Sequence, residues 1–246
     1  IGGKTPGSVP PDSKHIDEEG VLIDNFLLVS GGRLMEKETK ELFTTAPYPT
    51  RNFHHNLADL QAQIAANEKG VQELRKMVSH FGLDVVHAYM KHVQDNAEEC
   101  VRRILHVLKD GSFVQETDYG GKVCVDIKVD NNKREAIVDF TGTSPQQPNN
   151  FNAPSSVCMA AVLYVFRLLI DEDIPLNGGC LKPLKVIIPE GCLLAPSYPA
   201  AVVAGNVETS QTVTNAILGA LGILGASQGT MNNFTFGNEG AYQNYE

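Results

Sequence analysis

The sequence predicts an α+β fold, with a long antiparallel helical hairpin and a mixed sheet against which further helices pack. Residues 56–78 repeat apolar side chains at alternating spacings of three and four, which is typical of an amphipathic helix. Residues 122–129 alternate apolar and polar side chains, which is typical of a strand with one buried face. The helical and strand patterns occupy largely separate parts of the chain, and this separation favours α+β over an alternating α/β fold.

Length, composition and charge indicate a globular protein with a sizeable core. The chain has 246 residues, of which 42% are hydrophobic and 20% charged, and its net charge is -9. Lysine and arginine do not cluster, so we expect no nucleic-acid surface, because phosphate contacts need grouped cations. No apolar run reaches the ~20 residues that span a bilayer, so we expect no membrane segment. The five cysteines form no CxxC pair, which favours a reducing, cytoplasmic location.

Three regions follow one another along the chain. Residues 1–50 are rich in proline and glycine, and we expect a loop-rich segment with one or two short strands that wraps over its neighbour. Residues 51–110 carry the helical hairpin. Residues 111–246 form the α+β region, which we expect to make one domain with the rest.

The hairpin prediction depends on two apolar seams separated by a glycine. Gly82 interrupts the helical pattern and suits a left-handed helix end. Two long helices joined by a short turn are expected to pack against each other, antiparallel, along their seams. The first seam comprises Leu57, Leu60, Ile64, Asn67, Val71, Leu74 and Val78. The second comprises Val86, Met90, Val93, Ala97, Cys100, Ile104 and Leu108.

The sheet is predicted from two adjoining strands and a third that follows later. The segments "KVCVDIKVD" and "REAIVDFTG" flank the turn "NN" and are expected to form a β-hairpin. The segment "SSVCMAAVLYVFRLLI" is too long for a strand, so we expect a buried helix there. The segment "KPLKVIIPEG" is expected to contain a short strand.

The stretch "AAVVAGNVETSQTVTNAILGALG", residues 200–222, places a polar cluster between two apolar runs. Helical spacing in its second half predicts a helix that begins near Thr209 or Ser210, with one of these hydroxyls as its cap. The cluster would then lie at a helix N-terminus, where unpaired N–H groups favour a carboxylate or another anion. The alternative is that these side chains serve only the helix start. The cluster comprises Asn206, Glu208, Thr209, Ser210 and Gln211.

Three glycines follow at three-residue spacing in the same predicted helix, Gly219, Gly222 and Gly225. Glycine lowers helix stability by ~1 kcal/mol relative to alanine. We therefore expect another backbone to approach closely there.

Three further loops are rich in amide side chains and contain Asn152, Asn177 and Asn232. Each loop by itself is typical of a turn. Amides both donate and accept hydrogen bonds, so the loops together predict a pocket for a ligand that carries both C=O and N–H.

The histidines and cysteines are weaker candidates for chemistry. His54 and His55 precede Asp59 and resemble a metal site, but no second acidic residue is near, so we expect solvated or capping histidines. Cys158 and Cys180 have no histidine nearby in sequence and are expected to be buried packing residues. No GxxxxGK[ST], GxGxxG or GxSxG motif occurs, so a nucleotide would be bound by a different polypeptide segment.

Seven segments, in collinear order over essentially the whole chain, resemble the hydantoinase B / 5-oxoprolinase family. They are "RNFHHNLADLQAQIAANEKG", "FGLDVVHAYMKHVQDNAEE", "DFTGTSPQ", "NFNAP", "DIPLNGGCLKP", "AAVVAGNVETSQ" and "ASQGTMNNFTFGN". The resemblance is nearest to the 5-oxoprolinase branch of the family.

The resemblance implies an ATP-dependent cyclic-amide hydrolase that opens the lactam of 5-oxo-L-proline to give glutamate. It implies that ATP is bound by a hydantoinase A-type domain or subunit within a homo- or hetero-oligomer. It also implies that the chain is an internal piece of the B-type half, inactive by itself, with any divalent-metal ligands outside it. The alternatives are the B-type subunit of an N-methylhydantoinase or a ketone carboxylase, and a docking module for the A-type half.

Opening an activated lactam needs hydrogen-bond donors for the developing oxyanion and a positioned water. We expect Glu208 or Asp59 to act as the base. The residues expected to bind the substrate are Asn206, Thr209, Ser210, Gln211, Asn152, Asn177 and Asn232.

Overall fold

The computed structural model describes residues 1–6, 10–224 and 229–231, and within them it confirms the α+β prediction. The chain divides into two compact units. Among the described residues, unit 1 comprises those up to Met90 and unit 2 comprises those from Lys91 onward. The division lies inside the second long helix, and the predicted region boundaries at residues 50 and 110 stay predictions.

Unit 1 has a small core where its first two helices meet. Phe43 and Phe53 contact edge to face, with ring centroids 6.3 Å apart, and Leu57 is buried beside them. The Asn52 side chain caps the second helix by accepting a hydrogen bond from the backbone N–H of His55. The elements of unit 1 are β1 (Val29–Ser30), β2 (Arg33–Leu34), α1 (Glu36–Thr45) and α2 (Phe53–Phe81).

Helix α1 lies in the region that was expected to hold only loops and short strands. Its sequence, "EKETKELFTT", consists largely of residues that tolerate a helix, but only Thr39 and Phe43 are buried. Such a short helix with a narrow apolar face gives little periodicity, and turn residues lie on both sides of it. The helix is therefore stabilised mainly by the contact of Phe43 with α2.

The two predicted long helices are present, with their break at Gly82. Helix α2 ends at Phe81 and α3 (Leu83–Leu105) begins two residues later. Gly82 has φ 85° and ψ 150°, a conformation that is essentially restricted to glycine but is not the predicted left-handed helical one.

Within unit 1, the apolar seams of these helices are exposed where the predicted antiparallel hairpin would bury them. Within unit 1, Leu74 is 47% exposed and Met90 is 45% exposed, so the middle of the first seam and the start of the second are not buried against each other. Packing of the two helices along their whole length stays a prediction.

Unit 2 is built on a four-stranded mixed sheet. β3 and β4 are antiparallel, β4 and β5 are antiparallel, and β5 and β6 are parallel. Val123, Val125 and Ile127 point into the core, so the predicted alternation is confirmed. The strands are β3 (Gly111–Thr117), β4 (Gly121–Asp130), β5 (Glu135–Asp139) and β6 (Leu184–Ile187), in that spatial order.

Two helices, α4 (Ser155–Leu168) and α5 (Ser210–Leu221), complete unit 2, with α4 packed on α5 and α5 packed on β3 and β4. Their apolar faces share one core with the sheet and the C-terminal half of α3. Phe140, Phe166 and Ile217 are fully buried there. Across the described ranges, no helix is both long enough and apolar enough to cross a bilayer.

The glycines of α5 have different roles. A side chain at Gly219 would lie 2.9 Å from the Phe113 ring of β3, so the close neighbour is a side chain and not the predicted backbone. Gly222 ends the helix in the left-handed conformation, with φ 64° and ψ 28°. Gly225 lies outside the described residues.

Candidate functional site

The polar cluster of residues 206–211 lies inside a helix and not in front of one. Helical backbone begins at residue 203, and Gly205–Thr209 form a π-helical turn that runs directly into α5. π turns are rare and occur often at functional sites. The α-helix α5 does begin at Ser210, as predicted, but it continues directly from the π turn, so the chain is already helical when it reaches the cluster.

The hydroxyls of this segment bond backward along the helix. Ser210 Oγ donates to the carbonyl of Asn206, and Thr214 Oγ1 donates to the carbonyl of Ser210 at 2.9 Å. Thr209 makes no side-chain capping bond. This use of hydroxyls is typical of residues within a helix. The predicted anion site at a free helix N-terminus accordingly loses the unpaired N–H groups on which it depended.

Gly205 brings the π turn against the loop that contains Asn152. A Cβ atom at position 205 would lie 2.3 Å from the Asn152 carbonyl oxygen and 2.8 Å from the Ala153 Cα. The backbone N–H of Ala204 also donates to the Asn150 carbonyl at 3.0 Å. Two of the predicted polar loops therefore do meet in space.

Asn152 uses its whole amide group to hold its own loop. The side chain is fully buried, and its Nδ2 donates to the carbonyls of Gln147, Asn149 and Ala201 at 2.9 to 3.0 Å. Its Oδ1 accepts from the Gln147 N–H at 2.7 Å. Contact with a substrate would require breaking these bonds, so the geometry favours a structural role for Asn152.

Thr209 connects the π turn to an aromatic pair that the sequence analysis missed. Thr209 is fully buried, and its Oγ1 donates to the Phe151 carbonyl. Because a hydroxyl has one proton, the Tyr119 hydroxyl, 3.5 Å away, is then the donor to Thr209 Oγ1. The Tyr119 and Phe151 rings are stacked with centroids 3.8 Å apart. The only sequence signal for Tyr119 was an aromatic residue in the turn "DYGG".

A cleft of about 390 Å³ lies on the β3 side of the π turn, and we call it the acidic cleft. Three carboxylates line it, those of Glu116, Asp118 and Glu208. One oxygen of Glu208 accepts a hydrogen bond from Thr230 Oγ1 at 2.6 Å. That bond orients the carboxylate and leaves its second oxygen available to accept a proton. The other lining residues are Gln115, Thr117, Tyr119, Phe151, Thr212, Asn215 and Gly229.

A groove of about 650 Å³ lies on the other side, between α4 and α5, and we call it the amide groove. Asn206, Ser210 and Gln211 line it from the π turn and the start of α5. Tyr164 and Leu168 of α4 supply an apolar wall. Asn215 lines both this groove and the acidic cleft. The predicted cluster is thus divided between two cavities that adjoin one helix.

Of the remaining predicted residues, Asn177 and Asp59 are not among the described lining of either cavity. Asn177 caps a short 3-10 turn, with its Oδ1 accepting from the Gly179 N–H at 2.8 Å and its Nδ2 donating to the Pro175 carbonyl at 3.1 Å. Asp59 is exposed on α2 in unit 1. Asn232 lies outside the described residues. The predicted convergence of all the amide loops is therefore observed for two of them, those of Asn152 and Asn206.

The cysteines and histidines form no further centre within the parts of the chain that the structure describes. No group of three or more His, Cys, Asp or Glu residues is arranged there to hold a metal ion. Burial raises the pKa of the Cys158 thiol, and burial together with Glu172 raises the pKa of Cys100. Both are therefore protonated at neutral pH and unsuited to act as nucleophiles. Cys158 and Cys180 are buried, as predicted.

Comparison with known proteins identifies the family. The Hydantoinase B/oxoprolinase profile matches residues 1–246. The chain is 45% identical to a 5-oxoprolinase of Dictyostelium discoideum, over 97% of this chain and 19% of that protein. It is 44% identical to 5-oxoprolinase 1 of Arabidopsis thaliana, over 97% of this chain and 21% of that protein.

A solved structure shares the fold. An ATP-dependent caprolactamase from Pseudomonas jessenii superimposes with a TM-score of 0.72 at 24% identity, over 89% of this chain and 39% of that one. The chain spans about a fifth of the length of the two 5-oxoprolinases. It belongs to the hydantoinase B/oxoprolinase family.

Proposed function

We propose that this chain is part of the B-type half of an ATP-dependent 5-oxoprolinase, which hydrolyses the lactam of 5-oxo-L-proline to glutamate. Two relatives named 5-oxoprolinase match nearly the whole chain at 45% and 44% identity. A B-type subunit of an N-methylhydantoinase or a ketone carboxylase is the alternative within the family. Because the chain spans about a fifth of these relatives, the activity belongs to a longer protein and not to this chain alone.

The observation that carries the proposal is the π turn Gly205–Thr209. It directs Asn206 into the amide groove and Glu208 into the acidic cleft, and the two cavities share Asn215. A lactam hydrolase needs neutral donors for a carbonyl oxygen and a base for water. The π turn provides both types of group within one helical turn.

The amide groove matches the polar groups of a small lactam ring. The amides of Asn206 and Gln211 donate to the ring carbonyl in this proposal. Ser210 Oγ gives its proton to the Asn206 carbonyl, so it is left as an acceptor for the ring N–H. Tyr164 and Leu168 form the apolar wall against which the ring methylenes pack.

Glu208 is the base in this proposal. Thr230 holds one carboxylate oxygen, and the other accepts a proton from a water that enters through the acidic cleft. Asn215, which borders both cavities, orients that water toward the ring. Asp59, the second predicted base, is exposed on α2 in unit 1 and has no part in this arrangement.

ATP does not fit the amide groove or the acidic cleft. The described lining of the amide groove and of the acidic cleft contains no lysine or arginine, and the cleft carries three carboxylates. A triphosphate needs cations or a glycine-rich loop to offset its charge. The proposal therefore assigns ATP to a hydantoinase A-type domain or subunit, as the family resemblance implies.

The cytoplasmic location remains part of the proposal. All five cysteines are free thiols in the structure, although four of them are buried. Unpaired thiols are typical of a reducing compartment.

Replacing Glu208 tests the assignment of the base. In the full-length protein, Glu208→Gln is expected to lower kcat for 5-oxo-L-proline hydrolysis by about 100-fold or more, because the amide does not accept the proton. Glu116→Gln removes a carboxylate from the same cleft and is expected to change kcat by less than about threefold. Turnover of Glu208→Gln within threefold of the parent would return Glu208 to a structural role.

The substrate is tested separately. With the full assembly, ATP turnover is expected to be stimulated more strongly by 5-oxo-L-proline than by N-methylhydantoin. The reverse order would identify the protein as a hydantoinase of the same family.

A further inference from the structure

Helix α2 exposes an apolar seam over its last five turns. The helix is anchored in unit 1 by Phe53 and Leu57, but Val71 is 39% exposed and Phe81 is 56% exposed. Exposed apolar residues in a helical stripe mark an interaction surface. The α2 seam comprises Ile64, Asn67, Val71, Leu74, Val78 and Phe81.

A glycine beside the seam has no explanation within the described chain. Gly70 lies in the middle of α2, where glycine lowers helix stability relative to alanine. A Cβ at this position would meet no neighbouring atom within 4 Å. Met77, one heptad further along the same flank, is 46% exposed. An open site and a protruding side chain thus lie on the same flank.

The opposite flank carries complementary charges. Glu68 and Arg75 are one heptad apart, and Arg75 makes no ion pair among the described residues. The other charged residues in this part of α2 pair among themselves on the face away from the seam, with Glu73 at 2.7 Å from Lys69 and 2.9 Å from Lys76. These three side chains are therefore not available for contacts across the seam.

We propose that the α2 seam pairs with the same seam of a second copy, with the two helices antiparallel. In this register Val71 lies opposite the partner's Leu74, and Ile64 lies opposite the partner's Phe81. Gly70 then receives the partner's Met77, and Glu68 lies beside the partner's Arg75. The midpoint of each pair along the helix lies within about one residue of the Gln72–Glu73 peptide bond. A single two-fold axis through that point therefore generates every pair twice.

A parallel arrangement lacks this complementarity. In parallel helices the flanking pairs are Gln63 with Glu68 and Gly70 with Arg75, and neither joins opposite charges. Antiparallel pairing also places Asn67 opposite the partner's Val78, near the ends of the contact. A single polar residue in an apolar seam sets the register at some cost in stability. The paired segment, residues 64–81, is about 27 Å long.

A cysteine pair tests the register directly. In the full-length protein carrying Asn67→Cys and Val78→Cys together, mild oxidation is expected to link two copies, because position 67 of one lies opposite position 78 of the other. The two cysteines are ~16 Å apart along one helix, so they cannot bond within a chain. The parent and each single variant, oxidised in the same way, are the controls and are expected to stay unlinked.

Two results would overturn the proposal. Linked copies from a single variant would mean a parallel arrangement. An unlinked double variant would mean that something else covers the seam, such as the A-type half or another part of the longer protein.

Charge reversal gives an independent test. Glu68→Arg or Arg75→Glu alone places like charges together twice per dimer and is expected to weaken self-association by about tenfold in sedimentation equilibrium at low salt. The double variant restores opposite charges and is expected to restore association. Gly70→Leu favours the helix but fills the site of the partner's Met77, so it is expected to weaken the dimer. Association unchanged in both single variants would overturn the register.

Discussion

Asn152 and Asn206 have the same side chain and lie in segments that touch at Gly205, yet the structure uses them differently. Asn152 is fully buried, and its amide bonds to four backbone groups. Asn206 is exposed and lines the amide groove. A buried amide with every bond made holds a loop, whereas an exposed one is available to a ligand. The comparison teaches that amide-rich loops predict where a site lies better than they predict which amide serves it.

The largest expected effect on folding is at Asn152. Asn152→Ala leaves three carbonyls and the Gln147 N–H without partners in a buried place, which should cost about 3 kcal/mol of local stability. Hydrogen exchange of residues 146–153 in the full-length protein is expected to become about 100-fold faster or more. Asn149→Ala, in the same loop, removes only one hydrogen bond, from the Phe151 N–H to Asn149 Oδ1, and is the matched control with a smaller expected effect. Equal hydrogen-exchange protection in the Asn152→Ala and Asn149→Ala variants would contradict the structural role assigned to Asn152.

Thr209 is expected to give an intermediate effect. Thr209→Val keeps the shape but removes the donor to the Phe151 carbonyl and the acceptor for Tyr119, at a cost of about 1.5 kcal/mol. Exchange of the amides of residues 205–211 should rise by about tenfold. Thr209→Ser keeps the hydroxyl and should retain most of the protection. A serine variant that loses as much as the valine variant would show that packing, and not the hydroxyl, holds the π turn.

Asn206 should affect stability least and binding most. Asn206→Ala is expected to change local stability by less than about 0.5 kcal/mol, since the side chain is exposed. It should raise KM for the lactam by about tenfold through loss of one hydrogen bond to the ring carbonyl. The measurement is steady-state kinetics of the full-length protein beside exchange at residues 203–211. An unchanged KM would place the substrate elsewhere.

Local patterns predicted most of the regular structure. The alternation at Val123, Val125 and Ile127 specified a half-buried strand, and the seams on either side of Gly82 specified two helices. Each of these patterns depends only on a single helix or strand and on which of its faces is buried, so it can be recognised in the sequence. The partner of the α2 seam was not visible, because the same periodicity serves a hairpin, a second copy or another domain.

The π turn and the division of the site were also beyond the sequence. The segment around Glu208 has the polar residues of a helix start, but its geometry is set by Gly205 lying on the Asn152 loop, more than fifty positions earlier in the chain. Tyr119 reaches Thr209 only because the β3–β4 turn brings it there. Contacts between distant segments decide such details, and no local propensity carries them.

The crowding at Gly205 has a consequence for any survey of sequence variation. With a backbone oxygen 2.3 Å from where a Cβ would sit, position 205 admits no other amino acid, and the same holds for Gly111, whose Cβ would lie 1.8 Å from the Ala220 oxygen. A saturation library scored for soluble yield of the full-length protein is expected to contain no substitutions at either position, whatever that protein's function. Invariance at positions 205 and 111 would reflect steric exclusion between backbone segments. Only the substitutions accepted at the neighbouring polar positions would report on the chemistry of the site.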